Sequence, residues 1–200
     1  MAQPTIYYAT TTKQAATSLG WVLKEYNIRA EAFITTFPDR DDDPRKRATK
    51  RVTKGYQEVS TSFARPQSCI AVASGIYLRS EDGTFNTHAG TTIESILAHT
   101  QSTEQPCEIR HTLAYIDNDR RALFPDLFDS TLLATIAAAP CGEVKEFHPS
   151  KLATIIKPLD CGGKTLAELP FVQYKLWFKE HCGYGRMFGE RVTRIGPFTH

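Results

Sequence analysis

The sequence predicts a mixed α/β fold, because strand-like and helix-like segments follow one another along its 200 residues. Short apolar runs typical of strands are separated by segments whose apolar residues recur with helical spacing. One run, SCIAVASGIYLRS (Ser68 to Ser80), is apolar almost throughout, which is typical of a strand buried on both faces. Helices packed on a sheet bury both kinds of apolar surface. Since 41% of the residues are apolar, we expect one domain over residues 1–200.

The chain begins with a predicted strand, turn and helix. Ile6 to Ala9 is typical of a short strand, and helical spacing begins at Lys13. The apolar positions of this helix are Ala16, Leu19, Val22, Leu23 and Tyr26. A second strand is predicted from Glu31 to Phe37, and Pro38 ends it.

A strongly basic helix follows a run of aspartates. Asp43 is the predicted N-cap and Pro44 the first helical residue, a combination typical of helix starts. The predicted apolar side consists of Ala48, Val52, Tyr56 and Val59. We expect the basic residues to share the opposite side, namely Arg47, Lys50 or Arg51, and Lys54. The alternative is a solvated helix whose charge is balanced by the aspartates.

The middle of the chain predicts further strands and one short helix. Gly75 is expected to break the long apolar run, and Thr91 to Thr100 is predicted to be helical. Glu108 to Phe124 predicts two strands joined by a polar turn at Asp117 to Asp119. The apolar segment from Asp129 to Pro140 is compatible with either a helix or a strand.

The last third of the chain contains a glycine-bearing loop and an aromatic helix. In PLDCGGKTLAELP, Thr165 and Glu168 lie near capping positions. This loop does not have the GxxxxGK[ST] pattern of a phosphate-binding P-loop. The segment FVQYKLWFKEHCGYG carries aromatic residues at helical spacing, which favours packing in a core or a dimer interface over stacking on a nucleotide base.

Charge and cysteine usage narrow the class of protein. The formal net charge is +2, and a nucleic-acid footprint needs basic residues clustered on one face, so we expect no nucleic-acid partner. No window approaches the roughly 18 uninterrupted apolar residues of a membrane span, and the start lacks the pattern of a signal peptide. We therefore expect a cytoplasmic protein with no membrane partner. The five cysteines include no CxxC pair, which predicts reduced thiols.

Four segments carry a resemblance to a known family. They are YATTTKQAATSLGWVLKEYNI, PQSCIAVASGIYL, LFDSTLLATIAAAPCGE and GGKTLAEL. Their order and approximate spacing resemble those of the motifs of the inosine triphosphate pyrophosphatase (ITPase) family, also called the HAM1 or non-canonical purine NTP pyrophosphatase family. GGKTLAEL is the most specific match, since it is close to that family's GKT.AEL motif. The resemblance spans Thr5 to Glu190.

The resemblance implies an elongated, twisted mixed sheet flanked by helices, with two lobes and a central nucleotide cleft. It also implies a homodimer that uses Mg²⁺ to convert ITP, XTP and their deoxy forms into the monophosphate and pyrophosphate. Such a reaction requires carboxylates that hold the metal ion and cations that neutralise the developing phosphate charge.

Positions that hold metal in the resembled family have no carboxylate in this sequence. Val72 and Ala73 stand where the family motif DDSGL has its paired acids. Thr49 stands at the metal-binding glutamate of a second family motif, the helix pattern ENA..KA. Apolar side chains cannot ligate Mg²⁺, which takes oxygen ligands. Ser74 and Gly75 of the DDSGL motif are retained. We therefore expect the family's hydrolysis to be weak or lost, as in a pseudoenzyme.

The candidate ligand is a nucleotide or a related phosphorylated small molecule. The opening turn offers hydroxyl and backbone N–H groups at a helix start, and the basic helix offers cations that bind phosphate without a metal ion. His181 and Gly183 match the family's purine motif SHRG, although Cys182 replaces its arginine. The predicted binding residues are Thr10, Thr11, Thr12, Lys13, Lys50, Lys54, Ser74, Gly75 and His181.

Three functions are compatible with these patterns. The first is a nucleotide-binding protein that needs no cofactor and has little or no pyrophosphatase activity. The second is an active hydrolase, a nucleoside-triphosphate pyrophosphatase for non-canonical purine nucleotides, which requires Mg²⁺ or Mn²⁺. The third is a non-catalytic interaction protein that binds an acidic partner through the basic helix.

Overall fold

The computed structural model is a mixed α/β structure, as the sequence predicts. It describes residues 5–11, 13, 17, 20–21, 23–24, 28–37, 41–118, 124–148 and 150–181. Within these residues, seven strands form one sheet. The strands are β1 (Thr5–Thr10), β2 (Arg29–Ile34), β3 (Cys69–Leu78), β4 (Thr87–His88), β5 (Gln105–Ile116), β6 (Asp126–Ile136) and β7 (Ile156–Pro158). The helices with described bounds are α1 (Pro44–Ser62), α2 (Ile93–His99) and α3 (Phe171–His181). Lys13, Thr17, Gly20, Trp21, Leu23 and Lys24 are also helical, in the region of the first predicted helix.

Part of β3 has a described strand partner on only one of its two sides. The sheet runs β2–β1–β3–β5–β6–β7, and β4 pairs with the end of β3. β1 is parallel to β2 and β3, whereas the other pairs are antiparallel. The pairing of β1 with β3 consists of Tyr7–Cys69 and Tyr8–Ile70, and β4 joins β3 again at Tyr77. Between these points β3 has a described strand partner on one side alone, β5.

Helix α1 begins as the sequence predicts and packs on one face of the sheet. Oδ1 of Asp43 accepts a hydrogen bond from the backbone N of Arg45 at 2.9 Å, and Pro44 lies in the first turn. Ala48 and Val52 pack against a cluster of small and β-branched residues, namely Ala9, Cys69, Ala71, Ala73, Ala114 and Ile116. Arg47 is also buried, with 6% of its surface exposed. Its guanidinium donates to the carbonyl oxygen of Ser74, so this part of the predicted basic side faces the sheet instead of solvent.

The opposite face of the sheet carries the larger core. Successive side chains of a strand point to opposite faces, so Ile70 and Ile76 of β3 contribute to this core while Ala71 and Ala73 face α1. The last third of the chain closes it with Leu166, Ala167, Leu169, Tyr174 and Phe178. Burial on both faces explains why β3 is apolar almost throughout.

Several predicted boundaries differ from the structure. β3 continues through Gly75 without a break, and a β-carbon there would lie 2.9 Å from Cε2 of Tyr77, so glycine leaves room for that ring. Of the two strands predicted within Glu108 to Phe124, the first is confirmed, since β5 runs from Gln105 to Ile116 and ends directly before the predicted turn. The second falls largely outside the described residues, and the next described strand, β6, begins at Asp126. β6 lies in the apolar segment whose type the sequence left open. β2 begins two residues earlier than predicted, because it pairs with β1 from Arg29 onwards.

The described cysteines are free thiols. They are Cys69, Cys107, Cys141 and Cys161, and Cys182 lies outside the described residues. Burial raises the pKa of Cys69 and of Cys107 to about 12, which disfavours the reactive thiolate. Within the described part of the chain, no helix has both the length and the apolar character needed to cross a bilayer.

Candidate functional site

A cavity of about 520 Å³ lies beside the part of β3 that β1 leaves unpaired. This volume is within the range of small-molecule sites, about 300–1,000 Å³. Its polar lining residues include Thr10, Thr11, Arg47, Arg51, Ser74, His111, Ser130 and His181. Aromatic residues of α3 line it as well, namely Tyr174, Trp177 and Phe178. The cavity therefore combines charged and polar groups with an aromatic wall.

Two arginines of α1 bind the open edge of β3. Nη1 of Arg51 donates to the carbonyl oxygen of Val72 at 2.6 Å, and Nη2 of Arg47 donates to the carbonyl oxygen of Ser74. These carbonyls lie where β3 has no described strand partner on that side, so the arginines satisfy acceptors that a strand would otherwise satisfy. A guanidinium has five N–H donors, and each of these bonds uses one.

The described lining residues do not fit Mg²⁺, the ion that the resemblance implies. Mg²⁺ takes oxygen ligands, usually with one or two carboxylates, and no Asp or Glu is among the described residues of the lining. Val72 and Ala73, at the positions of the family's paired acids, offer no side-chain oxygen. Nowhere in the described ranges do three His, Cys, Asp or Glu side chains form a group that could hold a metal ion. Among the described lining residues, the permanently charged groups are the Arg47 and Arg51 guanidiniums, which repel a cation and attract an anion.

Ser74 and His111 form a hydrogen-bonded pair in this cavity. Oγ of Ser74 lies 2.7 Å from Nδ1 of His111. The two residues are directly opposite in the β3–β5 ladder, where side chains share one face of the sheet. Ser130 of β6 is directly opposite His111 on its other side, and its Oγ donates to the carbonyl oxygen of His181 at 2.8 Å. The row Ser74–His111–Ser130 thus joins three strands to the end of α3.

The aromatic wall of the cavity is part of the core. The ring centroids of Tyr174 and Phe178 are 6.0 Å apart, and those of Tyr174 and Trp177 are 6.3 Å apart. Tyr174 also meets His148 edge to face at 4.7 Å. The indole Nε1 of Trp177 is buried and has no hydrogen-bond partner among the described residues, an arrangement that costs free energy unless a ligand or water accepts from it. Core packing, which the sequence favours for this helix, and contact with a ligand are compatible here.

The predicted binding residues are divided between the cavity and its surroundings. Thr10, Thr11, Ser74 and His181 line the cavity. Lys13, Lys50, Lys54 and Gly75 are not among its lining residues, and Thr12 lies outside the described residues. Nζ of Lys50 lies 3.3 Å from Oδ2 of Asp41, and Lys54 donates to the carbonyl oxygen of Thr36. Lys13 is exposed and helical.

Sequence reasoning did not single out His111 or Trp177 as ligand contacts, and it placed Lys50 in the predicted set instead of Arg51. The spacing of Arg47 and Arg51, four residues apart and each preceding a buried apolar residue, is a local signal that favours this pair. The position of His111 opposite Ser74 depends on the strand register, which no local pattern provides.

The sheet and its flanking helices define a mixed α/β fold of the kind found in HAM1 and ITPase structures. The structure is similar to that of a HAM1 protein from Coxiella burnetii, with a TM-score of 0.64, 11% sequence identity, and coverage of 96% of this chain and 98% of that chain. It is also similar to a nucleoside-triphosphatase / dITP/XTP pyrophosphatase from Mycobacterium abscessus ATCC 19977 / DSM 44196, with a TM-score of 0.51, 14% identity, and coverage of 97% and 100%. No family model and no curated protein matches the sequence. At these identities the likeness shows the fold.

Proposed function

We propose that the cavity binds a nucleotide or a related phosphorylated small molecule, with a phosphate group on Arg47 and Arg51 and without a metal ion. The observation that carries this proposal is the pair of guanidiniums in a cavity whose described lining contains no carboxylate. Guanidinium groups bind phosphate oxygens through paired N–H donors and remain charged at all physiological pH values.

Hydroxyl and aromatic groups support the same ligand class. Thr10 and Thr11 lie at the end of β1, where their hydroxyls can donate to phosphate oxygens. Trp177 places an aromatic ring in the wall of the cavity, and aromatic stacking holds bases of any sequence. Because one structural neighbour is described as a dITP/XTP pyrophosphatase, purine nucleoside triphosphates are the first ligands to test.

The ordinary metal-dependent hydrolysis is expected to be weak or lost in this protein. Phosphoryl transfer with Mg²⁺ needs groups that hold the ion against the phosphate oxygens, and the described lining residues offer two guanidiniums instead. The proposal is therefore a nucleotide-binding protein of this fold whose phosphate site is cationic. Pyrophosphate release that appears on addition of Mg²⁺ or Mn²⁺ and disappears with EDTA would favour the pyrophosphatase alternative.

The proposal is tested by calorimetric titration of ITP and XTP into the full chain in the presence of EDTA. The decisive variant is Arg51→Gln, and the matched control is Lys46→Gln, which removes a charge from an exposed position of the same helix. Loss of a charged hydrogen bond of about 1.5–3 kcal/mol corresponds to roughly 10- to 100-fold weaker binding. We expect that loss in Arg51→Gln and near wild-type affinity in Lys46→Gln.

Two results would contradict the proposal. Equal affinity of the wild type and of Arg51→Gln would place the phosphate elsewhere. Salt-sensitive binding to a polyanion, with no binding of mononucleotides, would favour the interaction protein instead.

A further inference from the structure

We propose that Ser74 is a nucleophile and His111 its general base in a metal-independent transfer of the bound phosphoryl group. This inference rests on the proposed function, because it requires a phosphate ester on Arg47 and Arg51. It adds a reaction to the binding site. The substrate class is a phosphate ester or anhydride, such as a nucleoside triphosphate, and the expected intermediate is a phosphate ester of the Ser74 hydroxyl.

The geometry of the pair is that of a nucleophile and its base. The distance of 2.7 Å between Oγ of Ser74 and Nδ1 of His111 is within hydrogen-bond reach, which such pairs require. Ser74 is the exposed residue of a strand whose other residues are buried or half-buried, so its hydroxyl is accessible from the cavity. Both residues lie inside paired strands, and a pair on regular strands is held more rigidly than one on loops.

The surroundings of Ser74 provide the positive charge that phosphoryl transfer needs. The carbonyl oxygen of Ser74 accepts from Arg47, so the residue that carries the hydroxyl also positions a guanidinium. Arg51 is bound two residues earlier, at Val72. Fixed cations beside the transferring group stabilise the charge that develops on its oxygens. Here the arginines take the role that metal ions have in many phosphoryl-transfer sites.

The reaction balances without a further reactant except water. When neutral His111 carries its proton on Nε2, Nδ1 accepts the hydroxyl proton of Ser74. Oγ of Ser74 forms a bond to phosphorus while the bond from phosphorus to the leaving oxygen breaks, and the leaving group takes the electron pair and the proton held by His111. Water then attacks phosphorus and gives a proton to Nδ1. The bond from phosphorus to Oγ breaks, and Oγ recovers its proton from His111.

The test measures the release of phosphate from ITP and of p-nitrophenol from p-nitrophenyl phosphate. Both reactions are run with the full chain in the presence of EDTA. The variants are Ser74→Ala and His111→Asn. The matched control is Ser62→Ala, which removes an exposed hydroxyl bonded within its own helix to the carbonyl oxygen of Glu58. General-base catalysis contributes about 10²–10⁴-fold to a rate. We expect turnover in the wild type and in Ser62→Ala, and a loss of about 10²-fold or more in the two test variants.

Binding and mass measurements separate this inference from the proposed function. Ser74→Ala should still bind ITP in calorimetry, because Arg47 and Arg51 remain in the cavity. Peptide mapping of quenched wild-type reactions should find the added phosphoryl group on Ser74. A wild type that binds ITP but releases no product in EDTA, or a rate that Ser74→Ala leaves unchanged, would overturn the inference and leave the binding proposal standing. A wild type that binds no nucleotide would overturn both. If His111→Asn fails to fold, Ser74→Ala decides, since it truncates an exposed side chain.

Discussion

Arg47 of α1 donates a hydrogen bond from Nη2 to the carbonyl oxygen of Ser74 in β3. One helical turn later, Arg51 makes the corresponding bond to Val72. The arginines occupy the position of a strand partner along the part of β3 that β1 does not pair. Their structural role and their proposed phosphate-binding role therefore coincide, and a variant of either arginine needs a stability measurement beside the binding measurement.

Arg47→Ala should lower the free energy of unfolding by about 2–3 kcal/mol. It removes a buried aliphatic stem and leaves the carbonyl of Ser74 without its donor. The control is Arg45→Ala, because Arg45 is exposed and lies 3.2 Å from Asp129 in a surface ion pair, which contributes at most about 1 kcal/mol. Urea denaturation measures both variants. Similar losses in the two would contradict a structural role that is specific to Arg47.

Gly55→Ala should destabilise the protein although alanine is the better helix former. A β-carbon at Gly55 would lie 2.3 Å from Cβ of Ala9 and 3.3 Å from Sγ of Cys69. Ala9 is fixed by the pairing of β1 with β2, so the helix must move away from the sheet. Overpacking of this kind costs about 1–3 kcal/mol, which outweighs the gain of about 1 kcal/mol in helix propensity.

Gly20→Ala is the matched control for Gly55→Ala. Gly20 is helical, and a β-carbon there would meet no heavy atom within 4 Å. Without a clash, the substitution should raise the free energy of unfolding by up to about 1 kcal/mol. In the same urea experiment, we expect the free energy of unfolding to fall in Gly55→Ala and to rise in Gly20→Ala. A rise in both variants would show that α1 is not in close contact with β1 at Gly55.

His148 should make the protein less stable as the pH falls below neutrality. Burial lowers its pKa below the ordinary value of 6.5; the nearby charge of Lys145 lowers it further, whereas a hydrogen bond with the backbone of Leu166 raises it. Nδ1 also accepts from the backbone N of Lys145 at 2.9 Å, which requires that atom to be unprotonated. The unfolded chain therefore binds this proton more readily than the folded one, and stability that is full above the unfolded pKa decreases as the pH falls through it.

The pH effect is measured by urea denaturation at about pH 8 and about pH 5.5, with a slope from this group of at most about 1.4 kcal/mol per pH unit. His148→Gln should flatten the dependence, and its difference from the wild type at about pH 8 gives the packing contribution separately. His88, whose pKa burial also lowers, leaves a residual slope in both proteins. An unchanged slope in His148→Gln would contradict this assignment.

Sequence patterns correctly predicted those structural elements that are determined by a few neighbouring residues. Asp43 and Pro44 determine the start of α1, and the backbone N of Thr165 donates to Oε2 of Glu168 at 2.7 Å in a capped 3₁₀ turn. The sequence of the β6 segment did not distinguish a helix from a strand, because its strand conformation depends on pairing with β5 along almost its whole length. Propensity is weak where long-range pairing decides.

The site was predictable only in part for a similar reason. The resemblance identified Ser74 and His181, and both line the cavity. Lys50 and Arg51 are neighbours in sequence, yet successive helical residues point about 100° apart, so one pairs with Asp41 and the other reaches β3. Charge pattern alone does not distinguish them. The pairing of Ser74 with His111 required the register of two strands that are far apart in sequence.

Trp177 should report nucleotide binding through its fluorescence. It lines the cavity, so a base that stacks on its indole ring changes the surroundings of the fluorophore. The chain contains two tryptophans, and Trp21 packs against Phe147 and Phe171 at 5.7 Å and 4.8 Å instead of lining the cavity. Trp21→Phe and Trp177→Phe therefore isolate the two signals. We expect ITP to quench the fluorescence of Trp21→Phe and to leave that of Trp177→Phe unchanged.

Affinity separates stacking of the base from binding of the phosphate. Trp177→Leu should weaken ITP binding by roughly 5- to 100-fold, since stacking of one base on an aromatic side chain contributes about 1–3 kcal/mol. Inorganic pyrophosphate has no base, so its affinity should be the same in the wild type and in Trp177→Leu if it binds to Arg47 and Arg51 alone. Equal weakening of both ligands would mean that Trp177 supports the shape of the cavity, because loss of stacking affects only a ligand with a base. Quenching that persists in Trp177→Phe would place the base beside Trp21 and outside the cavity.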